Sequence, residues 1–287
     1  MKSLVLGWLL KWLPKNLMSY WIGRLMSWHP PKFLKRPLLL TFANYYHIDL
    51  YEAEHSLADY HSIQELFTRR LRTGIRPIGT GVIHPVDGRL TQSGLIEADQ
   101  MIQAKGFNYS VSEFLAAPEM APGFSGGTYL TYYLCPTDYH RVHAPIEGRL
   151  VRAQHIPGTL WPVNEWSVTH VPKLFARNER VVIWIETAYG LVAVVMVGAT
   201  NVGQMAMSFD SEFVTNRPDL SPPGRVRDYE PPILLNRGQE LGVFRMGSTV
   251  IVLYPPQFPT GYTGYRGGVQ MGESLASGTR HPLAGPS

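Results

Sequence analysis

Val181-Val-Ile-Trp-Ile-Glu-Thr187, Ala188-Tyr-Gly190 and Leu191-Val-Ala-Val-Val-Met-Val197 decide the fold class of this 287-residue chain. Two runs of β-branched and aromatic side chains, joined by a short link that ends in glycine, read as a β-hairpin. The same composition recurs in short stretches at 88–96, 128–134, 142–155, 241–245 and 249–254, each set off by Gly or Pro. With 23 Pro and 27 Gly, 45% hydrophobic and 17% charged residues, a strand-rich body is expected in place of a helical bundle. Helices are expected mainly ahead of it. Ser62-Ile-Gln-Glu65 is a capping-box pattern that opens a short helix through Phe67 to Leu71, closed by Arg76-Pro77. The expected class is α+β, with N-terminal membrane-associated helices followed by a mainly antiparallel β core.

The charge is unevenly spread. The net +4 hides seven Lys or Arg and no acid in residues 1–48, which leaves the remainder at −3. The same segment holds four of the seven tryptophans. Nucleic-acid binding would distribute basic residues over the folded body, whereas basic residues interleaved with Trp in one segment point to a lipid surface. Leu17, Met18, Trp21, Ile22, Leu25, Met26 and Trp28 recur at three- and four-residue spacing and share one helical face, with Lys15 and Arg24 available at its rim. The apolar start of the chain is broken at Lys11, Pro14 and Lys15, well short of the ~20 apolar residues of a membrane span. No signal-peptide cleavage pattern follows it, so the expected address is the cytoplasmic side of the cell membrane, held peripherally. Three regions are expected: a membrane-binding segment 1–48, a catalytic domain 49–270 and a disordered tail 271–287, with 208–238 as a long surface connection.

Cys135, the single cysteine, ends an apolar run and reads as a structural thiol. Reactive groups concentrate at His84-Pro-Val-Asp87-Gly88, at Asp138-Tyr-His140-Arg-Val-His143-Ala-Pro145 and at Gly247-Ser248-Thr249. Each taken singly is ordinary turn chemistry. Together they offer a serine, a histidine and an acid, the parts of a proton-relay constellation. Ser248 does not fit a hydrolase elbow, because Arg245-Met-Gly-Ser-Thr-Val250 lacks the second glycine and lies between two strand-like runs. A serine so placed has its own backbone within reach, and attack on the Gly247 carbonyl needs a base, oxyanion stabilisation and a small preceding residue. A lipid-acting serine hydrolase and a non-catalytic lipid-binding β protein remain open on these residues alone. A zinc site at His84, His140 and His143 lacks metalloenzyme spacing, so no metal is expected.

The chain resembles bacterial phosphatidylserine decarboxylase proenzymes in His84-Pro-Val-Asp-Gly88, Gln103-Ala-Lys-Gly106, Asp138-Tyr-His-Arg-Val-His143, Pro157-Gly158, Asn164, Leu174-Phe-Ala-Arg-Asn-Glu-Arg180, Val197-Gly-Ala-Thr200 and Gly247-Ser-Thr249. Met246 departs from the leucine common before Gly-Ser-Thr. The resemblance implies self-cleavage between Gly247 and Ser248, conversion of Ser248 into a covalent pyruvoyl group, and an imine between that group and phosphatidylserine that releases carbon dioxide and phosphatidylethanolamine. It further implies that His143 is the base of self-cleavage with Asp87 orienting it, that His140 serves decarboxylation, that the large and small chains stay together, and that the protein is a homodimer. Were His140 and His143 to serve one site, 138–142 is expected to be a turn or short helix. Arg141 offers two readings, contact with a phosphate or, the one preferred, pairing with an acid, and Glu179 is expected to be structural.

Overall fold

The structure is a computed structural model, which describes residues 15–104, 107–200, 204–215, 224–245, 248–262 and 264–276. Met246, Gly247 and the tail from 277 onward lie outside the described residues.

Helices α1 (Lys15–Met26) and α2 (Lys32–Tyr45) come first, then the single-turn α3 (Ile63–Phe67). Ser62 caps α3 as its sequence implies, its hydroxyl accepting from the Glu65 N–H at 3.1 Å. The helix stops at Phe67, earlier than Leu71. Leu39 and Ala43 of α2 pack with Ile48, Tyr60 and Leu66 in a small core of their own, which joins the N-terminal helices to α3. No described helix is long and apolar enough to cross a membrane.

Thirteen strands follow among the described residues. The first group is β1 (Gly88–Leu95), β2 (Gln100–Ala104), β3 (Phe107–Ser110), β4 (Thr128–Leu134), β5 (Arg141–His143) and β6 (Gly148–Ile156). The hairpin is β7 (Arg180–Thr187) and β8 (Gly190–Val197), and β9 (Met205–Met207), β10 (Val226–Leu235), β11 (Glu240–Phe244), β12 (Ser248–Tyr254) and β13 (Gly267–Val269) complete the set. Eight strands form one sheet in the order β10-β6-β7-β8-β12-β4-β1-β13, and β5-β11-β9 form a second. Every strand pair in both sheets is antiparallel.

The β7–β8 hairpin turns through Ala188 and Tyr189, where the Thr187 hydroxyl donates to the Gly190 carbonyl at 2.7 Å. Gly190 has φ +115°, a value that glycine adopts without strain. From Val181 to Ile185 and from Val192 to Val197 every residue is buried, so both faces of these strands are covered and both runs are apolar throughout.

Three expectations are corrected. The stretch 142–155 is not one strand: the chain breaks at 144–147, around Pro145, so that β5 enters the small sheet and β6 the large one. The connection expected over 208–238 contains β10, whose residues pair with β6 from Val226↔Gln154 to Leu235↔Gly148. As an edge strand it is exposed along one side, which is why its charges and Pro231-Pro232 concealed it. The tail expected from Met271 is instead packed at Met271 and Leu275, and Ser274 bridges Ile83.

Candidate functional site

The segment carrying His84 and Asp87 is threaded between two others. Ile83 N–H donates to the Pro145 carbonyl and His143 N–H to the Pro85 carbonyl, both at 2.9 Å, while His84 N–H donates to the Glu273 carbonyl at 2.8 Å. Asp87 is thereby set beside β5 and the 271–274 segment. Gly88 ends the turn with φ +148°, and a Cβ there would lie 2.5 Å from the Tyr133 carbonyl oxygen, so the Asp-Gly pair needs its glycine.

Arg76 holds the Asp87 carboxylate, its Nε donating to both oxygens at 3.1 Å and its Nη2 to Oδ2 at 2.7 Å. The Met271 N–H adds a bond of 2.8 Å. Arg76 also donates from Nη1 and Nη2 to the two oxygens of Glu52 at 2.9 and 2.8 Å. Burial opposes the charge on Arg76, but these bonds to Glu52 and Asp87 overcome it and raise its pKa. Sequence reasoning missed Arg76, treating Arg76-Pro77 only as a helix terminator.

His143 is held differently from the expected relay. Its Nδ1 lies 2.8 Å from the Gly238 carbonyl and its Nε2 lies 3.1 Å from the Tyr139 hydroxyl. The orienting partner is therefore a backbone carbonyl, and Asp87, spoken for by Arg76 and Met271, acts on His143 only through its charge. Burial lowers the His143 pKa, against the Gly238 carbonyl, Glu240 and Asp87, which favour the charged form.

His140 is fully buried, its ring 4.0 Å from that of Phe67 and its Nδ1 2.9 Å from the Asp138 carbonyl. Its Nε2 is without a partner. Burial pulls its pKa down to about 3, so the imidazole is neutral. Burial also pushes Asp138 up to about 6, opposed by the Cys135 N–H and reinforced by the charge of Asp87. The turn or short helix expected over 138–142 is not formed: the chain turns earlier, at 136–138, and 141–143 form β5. Arg69, also missed from the sequence, donates to the Thr137 carbonyl at 3.1 Å and leaves Nε and Nη1 without partners, while 96% of its surface is covered; its relative exposure is 4%.

The Gly247-Ser248 bond lies where the chain passes from β11 in one sheet to β12 in the other. Before it, Phe244 N–H donates to the His140 carbonyl at 3.0 Å, and β11 registers on β5 from Val243↔Arg141 to Glu240↔His143. After it, Ser248 pairs in register with Leu134 of β4. Both flanks of the bond are thus anchored on the one stretch, 134–143, that carries His140 and His143. The Gly247 side of the bond and the Ser248 side chain lie outside the described structure.

A family model for phosphatidylserine decarboxylase matches residues 63–277. The chain belongs to the phosphatidylserine decarboxylase family. It is 45% identical over 251 residues to a protein of Anaeromyxobacter sp. (strain K), covering 86% of this chain and 88% of that one. It is 41% identical to one of Myxococcus xanthus (strain DK1622), with 87% and 89% covered, and 42% identical to one of Acidovorax ebreus (strain TPSY), with 92% and 94% covered. All three are named phosphatidylserine decarboxylase proenzyme, and the family is one of carboxy-lyases.

Other motif residues of this decarboxylase build the scaffold. Gln103 bonds Val168, Val171 and Leu174 backbone atoms, Asn164 caps the helix Glu165–His170, and Asn178 ties Trp161 to Gly198. Arg180 donates to four carbonyls, those of Phe114, Ala176, Asn178 and Glu113. Glu179 pairs with His155 at 2.9 Å and Arg141 with Glu240 at 2.9 Å, both as expected. The Cys135 thiol is pushed by burial up to about 11 and is no ready nucleophile. Among the described residues no group of His, Cys, Asp and Glu has metal-binding geometry.

Proposed function

We propose that the chain cuts itself between Gly247 and Ser248, turns residue 248 into an N-terminal pyruvoyl group, and decarboxylates phosphatidylserine to phosphatidylethanolamine at a membrane surface. The observation that carries this reading is the anchoring of both flanks of the bond on the stretch that bears His140 and His143. His143, held as the Nδ1–H tautomer by the Gly238 carbonyl, keeps a basic lone pair on Nε2, on which the Tyr139 hydroxyl stands, as the base of self-cleavage. The serine oxygen attacks the Gly247 carbonyl, and elimination from the ester leaves Gly247 as a new C-terminus and residue 248 as a dehydroalanine that hydrolyses with loss of ammonia. Asp87 favours the imidazolium by charge from its place beside Arg76.

Ser248 opens β12, which pairs with β4 on one side and from Thr249 with β8 on the other, so the new terminus would be held in place by backbone pairing. A pyruvoyl group there supplies an electron sink to a substrate amine. In this reading His140 serves decarboxylation as a proton acceptor: its Nδ1–H faces the Asp138 carbonyl, which leaves a lone pair on the unpartnered Nε2. Leu17, Trp21 and Leu25 are exposed along α1, Trp28 just beyond its end and Phe33 on α2, which supports docking of these helices on a membrane surface, taken here as the cytoplasmic leaflet. Dimerisation is part of the same proposal, checked by light scattering.

Intact-mass analysis tests the core of it. Native protein should give a chain ending at Gly247 and a 40-residue chain whose first residue is modified, while Ser248→Ala should stay whole and release no carbon dioxide. Full-length native protein alone, or an active Ser248→Ala, overturns the reading. His140→Ala should be cut yet fail to decarboxylate.

A further inference from the structure

We propose that Tyr139 relays the proton of self-cleavage, its oxygen accepting the proton of the Ser248 hydroxyl as its own passes to Nε2 of His143. The inference rests on the proposed role of His143 as base and specifies how that base is reached.

Both ring nitrogens of His143 are engaged. Nδ1 faces the Gly238 carbonyl at 2.8 Å, and because a carbonyl only accepts, Nδ1 carries the hydrogen. A neutral imidazole then has a single lone pair, on Nε2, and the Tyr139 hydroxyl stands on it at 3.1 Å as the donor. Burial disfavours the doubly protonated ring, in which Nε2 would donate instead. Any proton that reaches Nε2 while this contact lasts is Tyr139's own. The phenol is not free to swing away: Tyr139 is 5% exposed, and its ring is stacked on that of His143 with centroids 5.6 Å apart and planes 30° apart.

Placement agrees. The Phe244 N–H is bonded to the carbonyl of His140, the residue after Tyr139, and Ser248 registers with Leu134, so the backbone from 244 to 248 is pinned at both ends to the stretch that contains Tyr139. The step balances. The serine O–H breaks as a new phenol O–H forms, the old phenol O–H breaks as Nε2–H forms, and the serine oxygen bonds the Gly247 carbonyl carbon. The reverse transfer through the same phenol protonates the nitrogen of the breaking Gly247–Ser248 peptide bond. Tyr139 ends as it began.

The test follows processing in time after cell-free synthesis, by intact mass. Tyr139→Phe keeps the stacked ring and removes the relay, and should slow cleavage by about 100-fold or more. Cleavage at the wild-type rate or faster, with Nε2 now open, overturns the relay. Replacing Tyr139 with a ring-fluorinated tyrosine, whose phenol is more acidic, guards against a folding defect. Burial and the charges of Glu240 and Asp87 hold the native phenol well above its ordinary range, while Arg141 and Arg70 oppose them. Fluorination should therefore bring the alkaline fall in cleavage rate down to a lower pH, and an unmoved profile overturns the proposal. His143→Gln separates the two levels: if it cleaves normally the base assignment fails and the relay with it, whereas an uncleaved His143→Gln beside a normal Tyr139→Phe removes the relay alone.

Discussion

His140 and Asp138 show how burial sets chemistry one side chain at a time. His140 has a folded pKa of about 3 against an ordinary 6.5, so between these values the unfolded chain binds a proton that the folded one refuses. Its contribution to stability is present above pH 6.5 and is lost as the pH falls toward 3. Asp138, raised to about 6 from 3.8, acts in the opposite sense and weakens the fold as the pH rises through that window. Because the two oppose each other in this window, the test is a difference: on acidification from pH 6.5 to 4, urea stability of Ser248→Ala protein should fall further than that of the Ser248→Ala, His140→Gln double variant. Arg76 answers to a different rule. Removing it strands Asp87 and Glu52, and breaking a buried charge network in this way costs about 3–5 kcal/mol. Arg76→Met in the Ser248→Ala background should lower the unfolding free energy by about that much, with Arg76→Lys recovering part of it.

Strand β12 is the element on which the processed enzyme depends. It lies inside the large sheet, paired with β4 through Ser248–Tyr254 and with β8 through Thr249–Leu253, and Val250 to Tyr254 are fully buried. Cutting ahead of Ser248 removes none of those pairings. Large and small chains should therefore co-elute in native gel filtration and part only in denaturant. Ile251→Ala, which empties part of the core between two ladders, should lower stability by about 2–5 kcal/mol and the denaturant midpoint for chain separation with it. The hairpin β7–β8 was legible in the sequence because both strands are buried on both faces, and nothing else accounts for two such runs around Tyr-Gly. β10 was not legible, since an edge strand needs charges and proline for its own protection and so resembles a loop. The break at 144–147 escaped because residues on either side of Pro145 are equally strand-like, and the switch between sheets is set by partners distant in sequence.

At the scale of the whole molecule, the N-terminal helices connect the exposed apolar side chains of α1 and α2 to the site. Leu66 of α3 lies in the small core with Leu39 and Ala43 of α2. From the end of α3, Phe67 packs against the ring of His140, the Thr68 carbonyl accepts from Arg141, and Arg69 holds the Thr137 carbonyl. A body docked through α1 and α2 would thus carry its site at a fixed relation to the surface. Replacing exposed Trp21 and Leu25 together by Asp should reduce sedimentation with vesicles rich in anionic lipid by about tenfold or more, since each apolar side chain contributes about 1.5–3 kcal/mol when buried. Cleavage, an intramolecular event far from those positions in sequence, should proceed normally in the same variant.

Sequence by itself determined the class of the fold, the amphipathic N-terminal face, the family and the residues on which its chemistry is proposed to rest, because these depend on local pattern and on motifs that residue type alone can carry. Only the tertiary structure decided the partners. Asp87 was expected to steady His143, yet its carboxylate is held by Arg76 from 11 residues upstream and by the backbone at Met271, while a carbonyl at Gly238 and the phenol of Tyr139 take the two nitrogens of the ring. Which donor meets which acceptor is a matter of ångströms between segments far apart in the chain, and no periodicity or spacing encodes it.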